Sequence, residues 1–291
     1  MIEYIGLEGL MMDNFFSARD WFGRTDESFL FNFEHIAFIV IAFIIGIALP
    51  LILRKARVSR KTVHIVLISL WVATVVWDLV KWLWGMIPVF KGIESFNVAS
   101  GMPFHTCSVF MFVAPFALFA RGKVRTAASS FLTELSLITG FVSLILSFAM
   151  MNCYSVFSFY GLHTMVYHSI LYIMPMTMLI TGYYKPKKRD FLYGFAAFMV
   201  VFAVIFTFDN IYKTDYMYIY DGSTFEIFKV ISQNVPHRLV WTVLAVAAYF
   251  IIIVVSHLVI MGIQRSGNKQ KPEALPEQAE IIATEKEPVT K

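Results

Sequence analysis

The sequence predicts an all-α, polytopic membrane protein with about seven transmembrane helices. Apolar residues make up 58% of its 291 residues, charged residues make up only 15%, and the mean hydropathy is +0.68. This composition is typical of proteins that cross a membrane several times and excludes an ordinary soluble domain. Seven apolar stretches of roughly 18–25 residues can each cross about 30 Å of hydrocarbon. They must be helical, because lipid offers the backbone no hydrogen-bond partners.

The seven predicted helices make up one transmembrane domain, residues 33–262. In order, they are expected at Phe33–Leu53, Thr62–Trp84, Pro103–Ala120, Ser129–Met151, Tyr160–Tyr183, Phe191–Phe208 and Arg238–Gly262. The polar residues within these helices lie mostly at the same end of the predicted bundle. Pro103 to Cys107 open the third helix, Gly161 to His163 open the fifth, and Asp209-Asn210 close the sixth. Ionisable groups within such helices are costly and usually mark a pathway or a site.

The distribution of basic residues predicts the orientation. Seventeen of the 24 Lys and Arg lie in the loops after the first, third and fifth helices and in the C-terminal segment. Six lie on the other side, and Lys81 lies inside the second helix. Because basic loops stay in the cytoplasm, we expect the N-terminus outside and the C-terminus inside, which requires an odd number of crossings.

The two flanking segments have different compositions. Residues 1–32 alternate acidic residues with apolar pairs such as Leu10-Met11 and Phe15-Phe16, which fits an outer segment with an interfacial amphipathic helix. Residues 263–291 are rich in Lys, Glu and Pro and almost without aromatic residues, so we expect a disordered cytoplasmic tail.

A thiol and an imidazole are expected to meet near the outer face. Cys107 lies four residues after Pro103, about 6 Å along a helix, and His168 lies seven residues after Gly161, about 10 Å along. His105 and Cys107 are about 200° apart on a helix, so a Cys–His pair must form between helices. Such a pair can activate a thiolate nucleophile. The alternatives are a packing cysteine and a disulfide between Cys107 and Cys153.

Other ionisable residues have ordinary explanations beside functional ones. Asp78 is three residues from Lys81, so it either neutralises that lysine within the helix or orients a histidine. Glu134 is expected to snorkel near the cytoplasmic end of the fourth helix, and His257 to lie near an interface. His163 and His168 are five apart on different faces, and the spacing of His and Cys predicts no metal site.

Three short motifs resemble bacterial YwaF-like integral membrane proteins, which are related to the transmembrane protein 164 acyltransferase family. Pro103-Phe104-His105-Thr106-Cys107 is similar to that family's Pro-Leu-His-x-Cys helix start. The segment from Asn210 to Tyr218 is similar to its Asn-x-x-x-(Gly)-Thr-Asn-Tyr-Met-x segment, with Lys213 in place of a small residue and Asp215 in place of Asn. Tyr167-His168 followed by Met174-Pro175 resembles its histidine-bearing helix.

The resemblance implies a multi-pass protein of a bacterial plasma membrane that moves acyl groups between phospholipids or to a lysophospholipid. It implies that Cys107 carries the acyl group and that His168, or alternatively His163, is the base. Asp78, His105, Asn152 and Asn210 are the supporting polar candidates. No cofactor, metal or nucleic acid is expected, and the sequence leaves the oligomeric state open. The alternative is a non-catalytic transporter, receptor or assembly partner with a polar site near the outer face.

The predicted orientation is testable by cysteine scanning. An impermeant thiol reagent applied to intact cells is expected to label a cysteine placed at Asn97 or Ser223 but not one at Ser266, because the basic loops hold the C-terminal side in the cytoplasm. The reverse pattern of labelling would overturn the outer location of the site.

Overall fold

The chain folds into helices packed side by side. A computed structural model describes residues 28–86, 102–147, 151, 154–223, 226–235 and 237–269. Its helices are α1 (Phe33–Lys55), α2 (Arg60–Gly85), α3 (Phe110–Phe119), α4 (Gly122–Ile145), α5 (Phe159–Ile180), α6 (Asp190–Tyr212), α7 (Glu226–Ser232) and α8 (Arg238–Lys269). Most of the predicted N-terminal segment and residues 270–291 of the predicted tail lie outside the described residues.

Five of the described helices are long and apolar enough to cross a membrane: α1, α2, α4, α6 and α8. Their outward surfaces carry many exposed Ile, Leu, Val and Phe side chains, as a lipid-facing surface requires. The predicted all-α membrane protein is therefore confirmed. The two remaining predicted crossings correspond to α3, which has only 10 helical residues, and to α5. The count of seven and the orientation stay predictions.

α5 is the helix around which the others pack. It contacts α1, α2 and α4, and more than half of its residues are buried. Its first half carries several polar side chains, among them His163, Thr164, His168 and Ser169. Enclosure by the neighbouring helices keeps these side chains away from lipid, where they would lack partners.

The third predicted helix begins later than the sequence indicates. Residues 103 and 104 are irregular, residues 105–109 form a bend and turn, and α3 begins only at Phe110 instead of Pro103. Pro115 lies inside α3 and has no N–H with which to bond the carbonyl four residues earlier. That carbonyl, on Met111, accepts a hydrogen bond from the Trp71 indole of α2 at 2.9 Å instead. The proline thus becomes a point of attachment between α2 and α3.

The fourth predicted helix is displaced towards the N-terminus. The sequence predicts Ser129–Met151, whereas α4 runs from Gly122 to Ile145. The early turns are helical because they pack against α6. Near the other end, the imidazole of the buried His35 bonds the Leu144 carbonyl at 3.0 Å. α4 contains a five-residue π-helical turn, Leu132–Ser136.

The last helix is longer than predicted. It continues through Gly262 to Lys269, so the first seven residues of the predicted disordered tail are helical. Helix α8 therefore extends past the apolar stretch that identified it in the sequence.

The close approach of α4 to α5 is expected to depend on a glycine. A Cβ at Gly140 would lie 2.9 Å from the Tyr172 backbone nitrogen and 2.9 Å from the Leu171 Cβ, neither of which can move freely. Gly140→Ala should therefore lower the free energy of unfolding by about 1–3 kcal/mol, as overpacking does. Thermal unfolding in nanodiscs measures the loss.

The matched control is Gly262→Ala in α8, where a Cβ would meet nothing within 4 Å. Alanine is the better helix former, so this variant should be neutral or slightly stabilised, by up to about 1 kcal/mol. Equal melting temperatures for the two variants would contradict the tight contact at Gly140.

Candidate functional site

Cys107 lies in the turn that leads into α3, and not within a helix as predicted. Its carbonyl accepts the first hydrogen bond of the helix, from the Phe110 N–H at 3.3 Å. The thiol is partly buried, with its Sγ 3.9 Å from the Ser108 hydroxyl. Because the segment is a turn, the predicted angular separation of His105 and Cys107 does not apply. The turn immediately precedes α3, so Cys107 lies near the N-terminal end of that helix, where the helix dipole is positive.

Three aromatic rings of α5 form a ladder beside this turn. Residues four apart share a helix face, and His163 stacks on Tyr167 with ring centroids 5.5 Å apart. His168 meets Tyr167 edge-on at 5.8 Å. The Tyr167 hydroxyl donates to the Cys107 carbonyl at 3.5 Å. Tyr167 therefore joins the cysteine-bearing turn to the helix that carries both candidate histidines.

His163 is the more enclosed of the two histidines. Only 4% of its surface is exposed, and its ring lies parallel to the Trp77 indole at a centroid distance of 6.0 Å. Its Nε2 is 3.6 Å from the Asp78 carboxylate, which is ion-pair distance, but it makes no hydrogen bond to any described residue. His163 is thus fixed mainly by stacking.

Asp78 makes both of the contacts that were considered from the sequence, one with Lys81 and one with a histidine. Its Oδ1 lies 3.7 Å from the Lys81 ammonium and 3.6 Å from His163 Nε2. Lys81 is about one-third exposed and lies close enough to act electrostatically on four further groups: His105, Cys107, His163 and His168. One cation therefore lies near all the predicted titratable members of the site.

His168 is held in a defined tautomer. Its Nδ1 lies 2.8 Å from the Thr164 carbonyl, and a carbonyl can only accept, so Nδ1 carries the proton. In the neutral ring, Nε2 then keeps its lone pair and can act as a base. Within the described part of the chain, no hydrogen bond joins the Cys107 Sγ to either histidine; catalytic hydrogen bonds often tighten only when substrate binds.

The turn that carries His105 and Cys107 rests on the segment after α6. The His105 ring lies 4.9 Å from the Tyr216 ring. The Tyr249 hydroxyl of α8 donates to the Met217 carbonyl at 3.0 Å, so the Thr106 hydroxyl must donate to Tyr249, at 2.8 Å. α8 thereby connects the two segments whose sequences carry the family resemblance.

Asp209 holds this supporting segment in place. Its buried carboxylate accepts hydrogen bonds from the Thr214 hydroxyl at 2.6 Å and from the Tyr216 N–H at 3.2 Å. Lys213, between them, has a left-handed backbone with a φ of 57°. A residue with a side chain adopts this conformation at a cost that glycine does not have.

One supporting candidate is not brought into the cluster, and another lies outside the described residues. The Asn210 side chain donates to the Phe206 carbonyl of its own helix at 2.6 Å, so it serves α6 itself. Asn152 lies outside the described residues, as does Cys153, the partner in the alternative disulfide. Among the described residues, no group of three or more His, Cys, Asp or Glu could hold a metal ion.

The sequence assigned no role to Tyr167, which appeared only as part of a motif, and it indicated Lys81 only as the partner of Asp78. A signal for Tyr167 was available, because it lies four residues after His163 and so shares its helix face. The position of Lys81 beside the turn could not be read from spacing, since it depends on the packing of α2 against α3.

Comparison with known proteins gives one match. A family model described as the TMEM164 family matches residues 30–262, a range that contains α1 to α7, most of α8 and every candidate site residue. Neither the curated proteins nor the solved structures include a match. Because the match covers well over half of the chain, the protein belongs to the TMEM164 family.

Proposed function

We propose that this protein transfers acyl groups between phospholipids, or from a phospholipid to a lysophospholipid, through a thioester on Cys107. The observation that carries the proposal is the position of the Cys107 thiol. It lies at the start of α3, beside the α5 ladder, whose His168 has its Nε2 lone pair available. We place the activity in a bacterial plasma membrane, with the site open to the outer leaflet.

The first half-reaction forms the acyl-enzyme. The Cys107 S–H proton passes to His168 Nε2, and the thiolate attacks the carbonyl carbon of a phospholipid ester. The tetrahedral intermediate collapses as its bond to the glycerol oxygen breaks. That oxygen takes the proton from His168 Nε2 and leaves as the hydroxyl of a lysophospholipid.

The second half-reaction releases the acyl group. The hydroxyl of an acceptor lipid gives its proton to His168 Nε2 and attacks the thioester carbonyl. The C–S bond then breaks, and the Cys107 sulfur leaves as a thiolate that recovers the proton. Both half-reactions pass through an oxyanion, for which the Ser108 and Tyr167 hydroxyls, both in contact with Cys107, are the candidate donors.

The electrostatic surroundings support this mechanism. The ammonium of Lys81 and the N-terminal end of α3 both place positive charge near the thiol, where a thiolate and then an oxyanion develop. Asp78 lies against His163 instead of His168. His163 is therefore assigned to positioning Tyr167 by stacking, and His168 to proton transfer.

The nucleophile is tested by substitution of Cys107. Purified parental protein incubated with phosphatidylcholine should gain the mass of one acyl chain, and hydroxylamine should remove it. Cys107→Ser and Cys107→Ala should insert normally and lose the adduct and lipid exchange, because a hydroxyl is far harder to activate than a thiol. Cys153→Ser is the matched control and should keep both.

Each other result has a distinct meaning. Lipid exchange that survives in both Cys107 variants would show that the nucleophile lies elsewhere. Absence of both adduct and exchange in well-folded parental protein would favour the non-catalytic transporter, receptor or assembly partner. Failure of both Cys107→Ser and Cys153→Ser to accumulate would favour a structural disulfide.

The assignment of the base is tested by two histidine substitutions. His168→Ala should slow formation of the acyl-enzyme by about 10²–10⁴-fold, the usual contribution of a general base. His163→Ala should lower stability by loss of its stacking contacts but leave acylation measurable per molecule of folded protein. Rates are read by intact mass against time. Equal rates in both variants and the parent would remove histidine activation from the mechanism.

A further inference from the structure

Glu134 and His257 form a second acid–histidine pair, far from Cys107. Glu134 was expected to snorkel to the interface, but both side chains are enclosed by protein: Glu134 is 0% exposed and His257 is 3% exposed. The Glu134 carboxylate Oε1 and the imidazole Nδ1 lie 2.7 Å apart. The pair packs near the start of α6, whereas the cysteine-bearing turn lies beyond its other end, about 30 Å of helix away.

Local backbone structure turns Glu134 towards its partner. Glu134 is the middle residue of the π-helical turn Leu132–Ser136. One extra residue in a turn rotates the following helix face by about 100°, and such turns recur at functional sites. Gly194 of α6 leaves the space that the carboxylate occupies, because a Cβ there would lie 2.7 Å from Glu134 Oε2.

The hydrogen bonds leave one atom of each partner unpaired. Glu134 Oε1 accepts from the Ser130 hydroxyl at 2.7 Å and contacts His257 Nδ1. Glu134 Oε2 and His257 Nε2 are fully buried and have no hydrogen-bond partner among the described residues. Buried polar atoms are nearly always paired, so two orphans in one pair require an explanation.

A bound proton supplies that explanation. We propose that Glu134 and His257 form a proton-binding site, separate from the Cys107 site, that takes up and releases a proton on the side of the membrane where α6 begins. With one proton, on Nδ1, the pair is a carboxylate and a neutral imidazole with a net charge of −1. A second proton, taken from water, binds His257 Nε2 or Glu134 Oε2 and brings the net charge of the pair to zero. The hydrogen bond between His257 Nδ1 and Glu134 Oε1 is kept in both states.

The surroundings allow both states. The ionisable groups that face the pair are the Asp190 carboxylate and the Tyr184 hydroxyl. Asp190 is itself held by that hydroxyl at 2.9 Å and by the Lys187 N–H at 3.0 Å. α3 has no ionisable residue, and in the described part of the chain no Lys or Arg pairs with Glu134.

A route for the proton begins at the α5–α6 loop. The Lys188 carbonyl lies beside the His257 ring, outside hydrogen-bond geometry but near enough to accept from a protonated Nε2 after a small movement. The Ser130 hydroxyl lies 2.7 Å from the Glu134 carboxylate and 2.9 Å from the Asp190 carbonyl. When the Glu134 carboxyl becomes protonated, this hydroxyl can donate to the Asp190 carbonyl instead of to Glu134. The site therefore rearranges without moving a helix.

The test is histidine-labelled nuclear magnetic resonance of the full chain in lipid bilayers. The chain has seven histidines, and His257→Asn identifies the ¹⁵N signals of this one. Those signals should change protonation state between pH 5 and pH 9 in the parent. In Glu134→Gln the midpoint should move by at least about one pH unit, a tenfold change in proton affinity. A carboxyl infrared band lost in Glu134→Gln should change over the same range.

Controls separate this site from the rest of the protein. His237→Asn, which removes an exposed histidine, and Cys107→Ser should leave the His257 titration unchanged, so failure of the proposed acyl transfer would not affect the result. One protonation state throughout, or the same midpoint in Glu134→Gln, would overturn the proposal. If that variant does not fold, Ser130→Ala replaces it: loss of the donor to the carboxylate should move the midpoint to higher pH, and an unchanged midpoint would refute the site.

Discussion

Polar side chains inside a membrane protein must find their partners within the protein, because lipid provides none, and the packing around α5 meets this constraint. Its two histidines and its hydroxyl side chains cannot face hydrocarbon, so α1, α2 and α4 enclose it. The apolar helices then occupy the outside. Gly46 and Gly140 allow α1 and α4 to approach the same residue of α5, Tyr172.

The same constraint shapes both ends of the bundle. At one end Asp78 lies between Lys81 and His163, and at the other Glu134 bonds Ser130 and His257. Between the two clusters the core is apolar, built from side chains of α2 to α6. Among the described residues, these are thus two separate polar clusters with apolar side chains between them.

Two of the segments that resemble the family's motifs contact each other in the folded chain. His105 to Cys107 lie in the bend and turn before α3, and the segment after α6 forms the surface on which that turn rests. Trp241, Thr242 and Tyr249 of α8 bond carbonyls of that segment. Resemblance in two short motifs, more than 100 residues apart in sequence, therefore reflects a single structural unit. The TMEM164 family match spans both parts of that unit.

The sequence by itself determined the class of fold, because apolar stretches long enough to cross lipid have no alternative to the helix. It also indicated the cysteine and the histidine-bearing helix. Only the tertiary structure decided where α3 begins, after a turn whose Cys107 carbonyl and Thr106 hydroxyl bond α5 and α8. It likewise decided that Asn210 bonds its own helix and that Glu134 meets His257, 123 residues away. Such pairings depend on how helices pack, and residue spacing along one helix carries no information about its neighbours.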